Sequence, residues 1–429
     1  MKTKIILGTA AAILIIGVAV GAYWWLSRPQ VIVFSDDAKL TLVKVEYGKR
    51  HAPPAAKPAS GARGAQRGNS FTTDKDALVL WVHWQYDSKQ YHYFQFYLYD
   101  KDGTACVQAG PRNWRNNGNE VVAVQFDAFP RRQGKFYVRA HEQGNGGQEM
   151  SDQKFVIHNP AHGSWTKWTP EPLPATRQDD DVTVTLTKLA AGAPSPFTPN
   201  DIDADDAAAK SVQAIFHVER NGSPVSNWQP VSVETTDATG NHVGGSIQQN
   251  NWQDNNDTVA YQYGLWPDEP AWKVKFEFSQ QSDFADNEVW TVKNIPLQPG
   301  RQQDFYNVPR NTGAGAVVAE TDLNGVHLKI FPAKQFTDMP PNSQPQGGLT
   351  IQISPSLPDG MRMTLISLTD DQTNDVAYWD YGTMRNNNLT SYRYALRDIT
   401  GVTNLNLTIA MHKSRFVEFT AKPEKAAAQ

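Results

Sequence analysis

The sequence predicts an all-β protein in which three tandem Ig-like β-sandwich domains follow one N-terminal transmembrane helix. Three observations predict it: an uncharged apolar segment opens the chain, alternating polar and apolar residues dominate after residue 30, and one set of landmarks recurs three times. At 429 residues, of which 40% are hydrophobic and 11% aromatic, the chain is long enough for several folded cores.

The first element is the apolar segment from Ile5 to Leu26, which contains no charged residue. As a helix it would measure roughly 33 Å, enough to cross the hydrocarbon core of a bilayer. Lys2 and Lys4 precede it, which predicts a single-pass protein with a cytoplasmic N-terminus and its bulk in the periplasm or at the cell surface. Residues 1–28 are therefore predicted to be a signal anchor that holds the protein in the membrane through residues 5–26.

A second interpretation of this segment is a cleavable signal peptide, because Val20-Gly21-Ala22 is an acceptable cleavage motif. The rest of the chain is exported under either interpretation. Gly17 and Gly21 also form a G-x-x-x-G pattern, which lets two helices approach closely. It predicts self-association through the helix, or reflects only the small residues common in membrane helices.

Beyond the anchor, the polarity of the side chains alternates with the period of β-strands. Clear examples are Lys39–Val45, Ala77–Trp84, Tyr93–Tyr99 and Trp272–Phe278, with Gly, Asn, Asp and Pro at the turns between such runs. The one segment that predicts a short helix is Asp201–Gln213, which has acidic residues in its first turn and an alanine run.

An internal repeat is the most informative feature of the sequence. Three similar strands recur at a spacing of about 140 residues, at positions 40–45, 184–189 and 326–331. Later landmarks keep the same order: a polar turn at 100–103, 237–240 and 370–373; an aromatic–proline pair at 129–130 and 266–267; and a last strand followed by proline at 154–160, 289–296 and 415–423. Each of the three repeats is therefore predicted to form one β-sandwich.

Proline-rich stretches mark the expected boundaries between these units. The predicted domains are the first sandwich at 29–168 with a flexible insertion at 52–70, the second at 169–300, the third at 301–423, and a disordered tail at 424–429.

Composition argues against several functional classes. The net charge of −4 does not favour nucleic acid as a partner. One cysteine allows no intrachain disulfide and no thiolate metal cluster. The sequence contains no G-x-S-x-G elbow, P-loop or dinucleotide fingerprint, so no cofactor is predicted.

Two charged clusters each allow a functional and a structural interpretation. The basic cluster after the first strand either contacts anionic lipid headgroups or only keeps a loop soluble; it comprises Lys49, Arg50, Lys57, Arg63 and Arg67. Asp201, Asp203 and Asp205 have a spacing that calcium loops use, but Asp206 and Val212 occupy the positions where such a loop needs Gly and Glu. Favourable charge at a helix N-terminus explains the same aspartates.

Thirteen tryptophans provide the candidate ligand-binding residues. Trp165, Trp168 and Trp266 lie beside predicted linkers or loops, where an exposed indole ring would stack on a sugar or anchor a protein partner. The tryptophans within strand patterns are predicted to lie in the core.

The predicted function is that of a non-catalytic binding or structural protein of the cell envelope, which engages another envelope protein through its repeats. The alternative is an array of carbohydrate-binding modules. A third hypothesis is a hydrolase with paired carboxylates in a cleft, since the spacing of such carboxylates is spatial and not sequential.

Overall fold

A computed structural model provides the structure. It describes residues 29–34, 38–54, 66–67, 70–86, 92–101, 105–109, 111–112, 119–144, 147–191, 211–247, 249–252, 257–306, 317–340, 344–386 and 388–425. The predicted anchor at 1–28, with Gly17 and Gly21, lies outside these residues. Within the described part of the chain, no helix combines the length and hydropathy needed to cross a membrane.

The described residues form thirty strands. The first ten are β1 (Val31–Val33), β2 (Lys39–His51), β3 (Gln66–Arg67), β4 (Phe71–Gln85), β5 (His92–Tyr99), β6 (Ala105–Ala109), β7 (Pro111–Arg112), β8 (Asn119–Phe126), β9 (Lys135–Gly144) and β10 (Gly147–His158). The next nine are β11 (Ala175–Asp179), β12 (Val182–Ala191), β13 (Ser211–Arg220), β14 (Ser223–Pro224), β15 (Trp228–Asp237), β16 (His242–Ser246), β17 (Gln249–Trp252), β18 (Asp257–Tyr263) and β19 (Trp272–Gln280).

The remaining strands are β20 (Val289–Gly300), β21 (Ala319–Leu323), β22 (Val326–Ile330), β23 (Ala333–Phe336), β24 (Gly347–Ser354), β25 (Met361–Asp370), β26 (Tyr378–Asn386), β27 (Leu389–Leu396), β28 (Asn404–Lys413), β29 (Arg415–Ala421) and β30 (Glu424–Lys425). Helical structure among the described residues is limited to one 3₁₀ turn at Asp286–Glu288 and one short helix, α1, at Gln302–Tyr306. The predicted all-β class is confirmed.

Unit one, as we call β1–β10, consists of two sheets. The strand order is β1-β2-β4-β8-β3 with β7 beside β8 in one sheet, and β10-β9-β5-β6 in the other. The inward side chains of both sheets share one hydrophobic cluster, in which Trp84 and Phe94 meet edge to face with their ring centroids 4.9 Å apart. This arrangement explains the alternating pattern of β4, because every second residue faces the second sheet.

Unit two repeats this arrangement. Its first sheet has the order β11-β12-β13-β18-β17, with β14 and β30 at its margins, and its second sheet has the order β16-β15-β19-β29. Phe216 of β13 packs edge to face against Phe276 and Phe278 of β19, at centroid distances of 4.6 and 5.3 Å. These aromatic pairs join the two sheets.

Unit three is built from one nine-stranded sheet, whose main order is β21-β22-β24-β23-β20-β28-β25, with β27 and β26 extending from β24. Side chains of β22, β24 and β27 share a second hydrophobic cluster with side chains of β20, β25 and β28. Both halves of one sheet bury the same core only if the sheet folds over on itself. Unit three therefore also has two facing layers.

Units two and three exchange their last strands. The strand that follows β19 in the chain is β20, but β20 pairs with β28 of unit three. The strand that follows β28 is β29, and it returns to pair with β19 of unit two. These pairings cross the boundary predicted at residue 300. The cores follow the exchange, since Val417 and Phe419 belong to the cluster of units one and two while Val292 and Ile295 belong to that of unit three.

Three local predictions differ from the structure. Residues 66–67 of the predicted flexible insertion form β3, which pairs with β8. Ser211 begins β13, so the last part of the predicted helix is strand, because Val212 and Ala214 are needed in the core of unit two. Residues 424–425 of the predicted disordered tail form β30, which pairs with β12.

Candidate functional site

The three tryptophans predicted to bind ligands pack against the protein. Trp266 is only 2% exposed, and its carbonyl oxygen accepts a hydrogen bond from Trp272 Nε1 at 3.3 Å. Trp165 and Trp168 are half-buried beside the link between units one and two. The guanidinium of Arg131 lies 5.8 Å from a Trp165 ring centroid, and Lys273 Nζ lies 5.2 Å from one of Trp168. A buried ring offers no stacking face, so the prediction for Trp266 is not supported.

The charged candidates are only partly described. Lys49 and Arg50 are exposed at the end of β2, and Arg67 lies in β3. The other predicted residues fall outside the described part of the chain, namely Lys57, Arg63, Asp201, Asp203 and Asp205. No group of three or more His, Cys, Asp or Glu residues that could hold a metal ion occurs among the described residues.

A buried arginine connects units one and two. Arg131 is 4% exposed and follows Phe129-Pro130 in the turn between β8 and β9. Its Nη1 donates to the carbonyl oxygen of Thr239 in unit two at 2.7 Å, and its Nη2 donates to the carbonyl oxygen of Asp76 at 3.1 Å. Its guanidinium also lies over the rings of Tyr47 and Phe129. One side chain therefore fixes the position of unit two relative to unit one.

The neighbouring residue adds an ion pair across the same contact. Arg132 Nε lies 2.9 and 3.1 Å from the two carboxylate oxygens of Glu269, which is 7% exposed. Burial raises the pKa of Glu269, and the hydrogen bond from Arg132 opposes that shift. Desolvation of both charges offsets much of the attraction in a partly buried pair of this kind, so its net contribution to stability is small.

A second polar cluster lies where the exchanged strands cross. Arg362 of unit three donates to both carboxylate oxygens of Glu277 of unit two, at 2.5 and 2.6 Å. Desolvation, the largest single effect, opposes ionisation of Glu277, but the hydrogen bonds from Arg362, Ser232 and Ser414 and the charge of Arg362 together outweigh it, so the pKa of Glu277 is lowered. Nearby, His412 is 1% exposed, and its Nε2 shares a 2.9 Å hydrogen bond with Thr364 Oγ1. Its ring packs against that of Phe284 in a tilted arrangement, with the ring centroids 4.8 Å apart.

His412 predicts a pH dependence of stability. Burial, with a smaller effect of Arg362, lowers the pKa of His412 to about 4, while Glu277 opposes the shift. In the unfolded chain His412 is protonated near pH 6.5, whereas in the folded protein it is protonated only near pH 4. Folding stability is therefore lost as the pH falls from about 6.5 towards 4. The loss attributable to His412 is about 2 kcal/mol by pH 5. Urea unfolding between pH 7 and 5 should show a flatter profile for His412→Gln and an unchanged profile for His158→Gln, whose side chain is exposed.

The best candidate interaction site lies on unit three. Among the described residues six large hydrophobic side chains remain exposed, and only Tyr378 and Tyr381 share a strand; the others are Val33, Val43, Val317 and Ile366. Both tyrosines lie on β26, which pairs with β27 on one side and with no other strand in the described part of the chain. Half-buried Trp379 lies between them.

Arginines and aromatic rings alternate on this face. The guanidinium of Arg393 lies 5.3 Å from the ring centroid of Tyr381 and 5.9 Å from that of Phe305 in helix α1. The guanidinium of Arg397 lies 5.1 Å from a ring centroid of Trp379. We call Phe305, Trp379, Tyr381, Arg393 and Arg397 the aromatic–arginine patch.

The patch is held in place from below. Helix α1 lies close to the sheet because Gly348 has no side chain: a Cβ there would be 2.4 Å from the Phe305 ring. Tyr378 meets Tyr394 edge to face at 5.7 Å, and burial raises the pKa of both phenols. Cations packed on aromatic rings over a rigid sheet form a surface typical of protein interfaces, where Tyr, Trp and Arg are enriched.

No protein-family model matches the chain, and no curated protein sequence matches it.

The aromatic–arginine patch was not predicted from the sequence. The run Tyr378-Trp379-Asp380-Tyr381 was the available signal, but a strand pattern does not tell which of its faces another element covers.

Proposed function

We propose that this chain is a membrane-anchored, extracytoplasmic and non-catalytic binding protein of the cell envelope. Three Ig-like units would form a rigid arm, and the aromatic–arginine patch on unit three would engage another protein. The patch carries the proposal, because exposed Tyr381 and half-buried Trp379 each lie beside a partly exposed arginine there, Arg393 and Arg397.

The strand orders support the Ig-like assignment. In unit two, β12-β13-β18-β17 corresponds to strands A-B-E-D of an immunoglobulin sandwich, and β16-β15-β19-β29 corresponds to C′-C-F-G. Unit one follows the same scheme with β2-β4-β8-β7 and β6-β5-β9-β10. In unit three, β20 takes the place of strand G beside β28.

Rigidity between the units supports a presenting role. Arg131 and the Arg132–Glu269 pair fix unit one to unit two, and the exchanged strands connect unit two to unit three. The uncharged segment from Ile5 to Leu26 supports the anchor at the opposite end of the chain. The patch would then be held at a set position relative to the membrane.

The carbohydrate alternative now depends on different residues. Trp266 is buried, and cations pack on Trp165 and Trp168. A sugar ring would have to stack on the patch itself. The same substitution at Tyr381 therefore tests both functions, and the identity of the bound molecule distinguishes them.

Photo-cross-linking from the patch tests the proposal. Tyr381 is replaced by benzoylphenylalanine in the full-length protein in its native membrane, and the adducts are identified by mass spectrometry. We expect one stoichiometric protein adduct, because an exposed aromatic side chain at an interface lies within reach of its partner.

An alanine substitution at the same position measures how much Tyr381 contributes to binding the partner. Tyr381→Ala should weaken recovery of that partner at least tenfold, which corresponds to about 1.4 kcal/mol or more. Thr383→Ala on the same strand, also exposed, should leave recovery unchanged. Equal recovery with both variants would contradict a role for the patch, and an adduct with glycan alone would favour the carbohydrate function.

A further inference from the structure

Units two and three contain the same loop after equivalent strands, which we call the Asp–Asn loop. In unit two it spans 237–241. Asp237 Oδ1 accepts from the backbone N–H groups of Thr239 and Asn241 at 2.8 and 3.1 Å, and Asp237 Oδ2 accepts from Asn241 Nδ2 at 2.8 Å.

In unit three the Asp–Asn loop spans 370–374 and has the same internal bonds. Asp370 Oδ1 accepts from the backbone N–H groups of Gln372 and Asn374 at 2.8 Å each, and Asp370 Oδ2 accepts from Asn374 Nδ2 at 2.8 Å. The backbone agrees as well, since Gly240 and Thr373 have φ angles of 87° and 68°.

The loop of unit two is a docking element. The Asn241 side chain binds one backbone position of unit one twice: its Nδ2 donates to the Phe129 carbonyl oxygen at 2.9 Å, and its Oδ1 accepts from the Phe129 N–H at 3.1 Å. Arg131 then donates to the Thr239 carbonyl oxygen at 2.7 Å. The Asp–Asn loop thus recognises an aromatic–proline–arginine turn, and Thr239 and Asn241 are each 1% exposed as a result.

The loop of unit three has the same groups exposed to solvent. Gln372 and Asn374 correspond to Thr239 and Asn241, and both are exposed. Within the described part of the chain, Asn374 Oδ1 and the Gln372 carbonyl oxygen make no hydrogen bond that corresponds to the docking bonds of unit two. Unit three cannot use them on unit two in this manner, because the strand exchange joins those units differently.

We propose that the Asp–Asn loop at 370–374 docks an aromatic–proline–arginine turn of a partner β-sandwich protein. The Asn374 side chain would bind the backbone of the aromatic residue, and the Gln372 carbonyl oxygen would accept from the arginine. The exposed carboxylate of Asp371 adds negative charge that suits an arginine. A second copy of this chain is the less suitable occupant, because its own Phe129–Arg131 turn is already covered by residues 237–241.

This inference rests on the proposed function, since it names the surface by which the partner would reach unit three. The loop ends four residues before Tyr378, where β26 begins, so the two contacts are neighbours in the sequence. One partner domain would then touch the loop with its turn and the aromatic–arginine patch with its adjoining surface.

The test places benzoylphenylalanine at position 372 in the full-length protein in its native membrane, beside the same probe at position 381. Replacing the Gln372 side chain keeps the backbone carbonyl oxygen that docking uses. We expect the cross-linked peptide of the partner to contain an aromatic–proline–arginine sequence. Asn374→Ala should reduce the yield from position 372 at least tenfold, while Asn388→Ala, an exposed asparagine on the next turn, should not.

The outcomes separate this inference from the proposed function. An adduct from position 381 without one from position 372 contradicts docking by the Asp–Asn loop and leaves the proposed role of the patch intact. An adduct from position 372 that lacks the motif, or a yield that Asn374→Ala does not change, also overturns it. A cross-link to this chain itself replaces the partner with a second copy, and the absence of adducts from both positions overturns both proposals.

Discussion

Ending the chain at Lys413 is expected to unfold unit two, although the deleted residues lie more than a hundred positions after its other strands. The deletion removes β29, whose seven residues pair with Trp272–Phe278 of β19. It also removes Val417, Phe419 and Ala421 from the core. Loss of one buried phenylalanine side chain alone costs about 3–5 kcal/mol. Loss of the whole strand should therefore cost a large part of the roughly 5–15 kcal/mol that stabilises a domain.

Limited proteolysis with mass spectrometry measures this effect. The truncated chain should be cut rapidly within residues 175–280, while a control chain that ends at Lys425 should resist cleavage there. If unit two formed its own last strand from β20, the truncated chain would remain protected in that region, and the exchange of strands would be contradicted.

Replacing Arg131 by alanine is expected to separate units one and two. The substitution leaves the buried Thr239 carbonyl oxygen without its donor and removes the cation from the rings of Tyr47, Phe129 and Trp165. We expect a loss of about 3 kcal/mol at this contact. Arg131→Lys should be nearly as harmful, because one ammonium group cannot reach Thr239, Asp76 and the rings at once.

Scanning calorimetry and small-angle X-ray scattering measure the two consequences. We expect units one and two of the original chain to unfold together, and the variant to unfold in two resolved steps with a larger maximum dimension. Lys135→Ala is the matched control, since this exposed residue begins β9 directly after the same turn. A single unchanged transition in Arg131→Ala would show that other contacts hold the units together.

The local structure of this protein follows closely from its sequence. In β12, Val182, Val184 and Leu186 alternate with half-buried residues, as period-two polarity requires. The polar turns at 237–240 and 370–373 were recognised as repeat landmarks, and the structure gives them the same internal hydrogen bonds. Such features depend on neighbours in the chain.

Strand partners and exposed faces depend on distant residues, and the sequence alone did not reveal them. Both β20 and β29 have a partly apolar alternating pattern, and such a pattern does not state which sheet edge a strand will join. Trp266 comes shortly after Gly264 and directly before a proline, as an exposed loop residue would, yet it is buried in the hydrophobic cluster of units one and two. Arg131 has no acidic neighbour in sequence that would have marked it as a contact residue.

Disulfide mapping tests the exchange of strands most directly. In a chain with Cys106→Ser, cysteines replace Thr291 and Thr408, which lie opposite each other on β20 and β28 with their hydroxyl oxygens 3.1 Å apart. A second protein carries Lys273→Cys and Thr420→Cys, which are opposite each other on β19 and β29. Mild oxidation followed by peptide mapping should recover both disulfides within single chains. Failure of both pairs to form while the proteins remain folded would contradict the exchange and, with it, the rigid connection between units two and three.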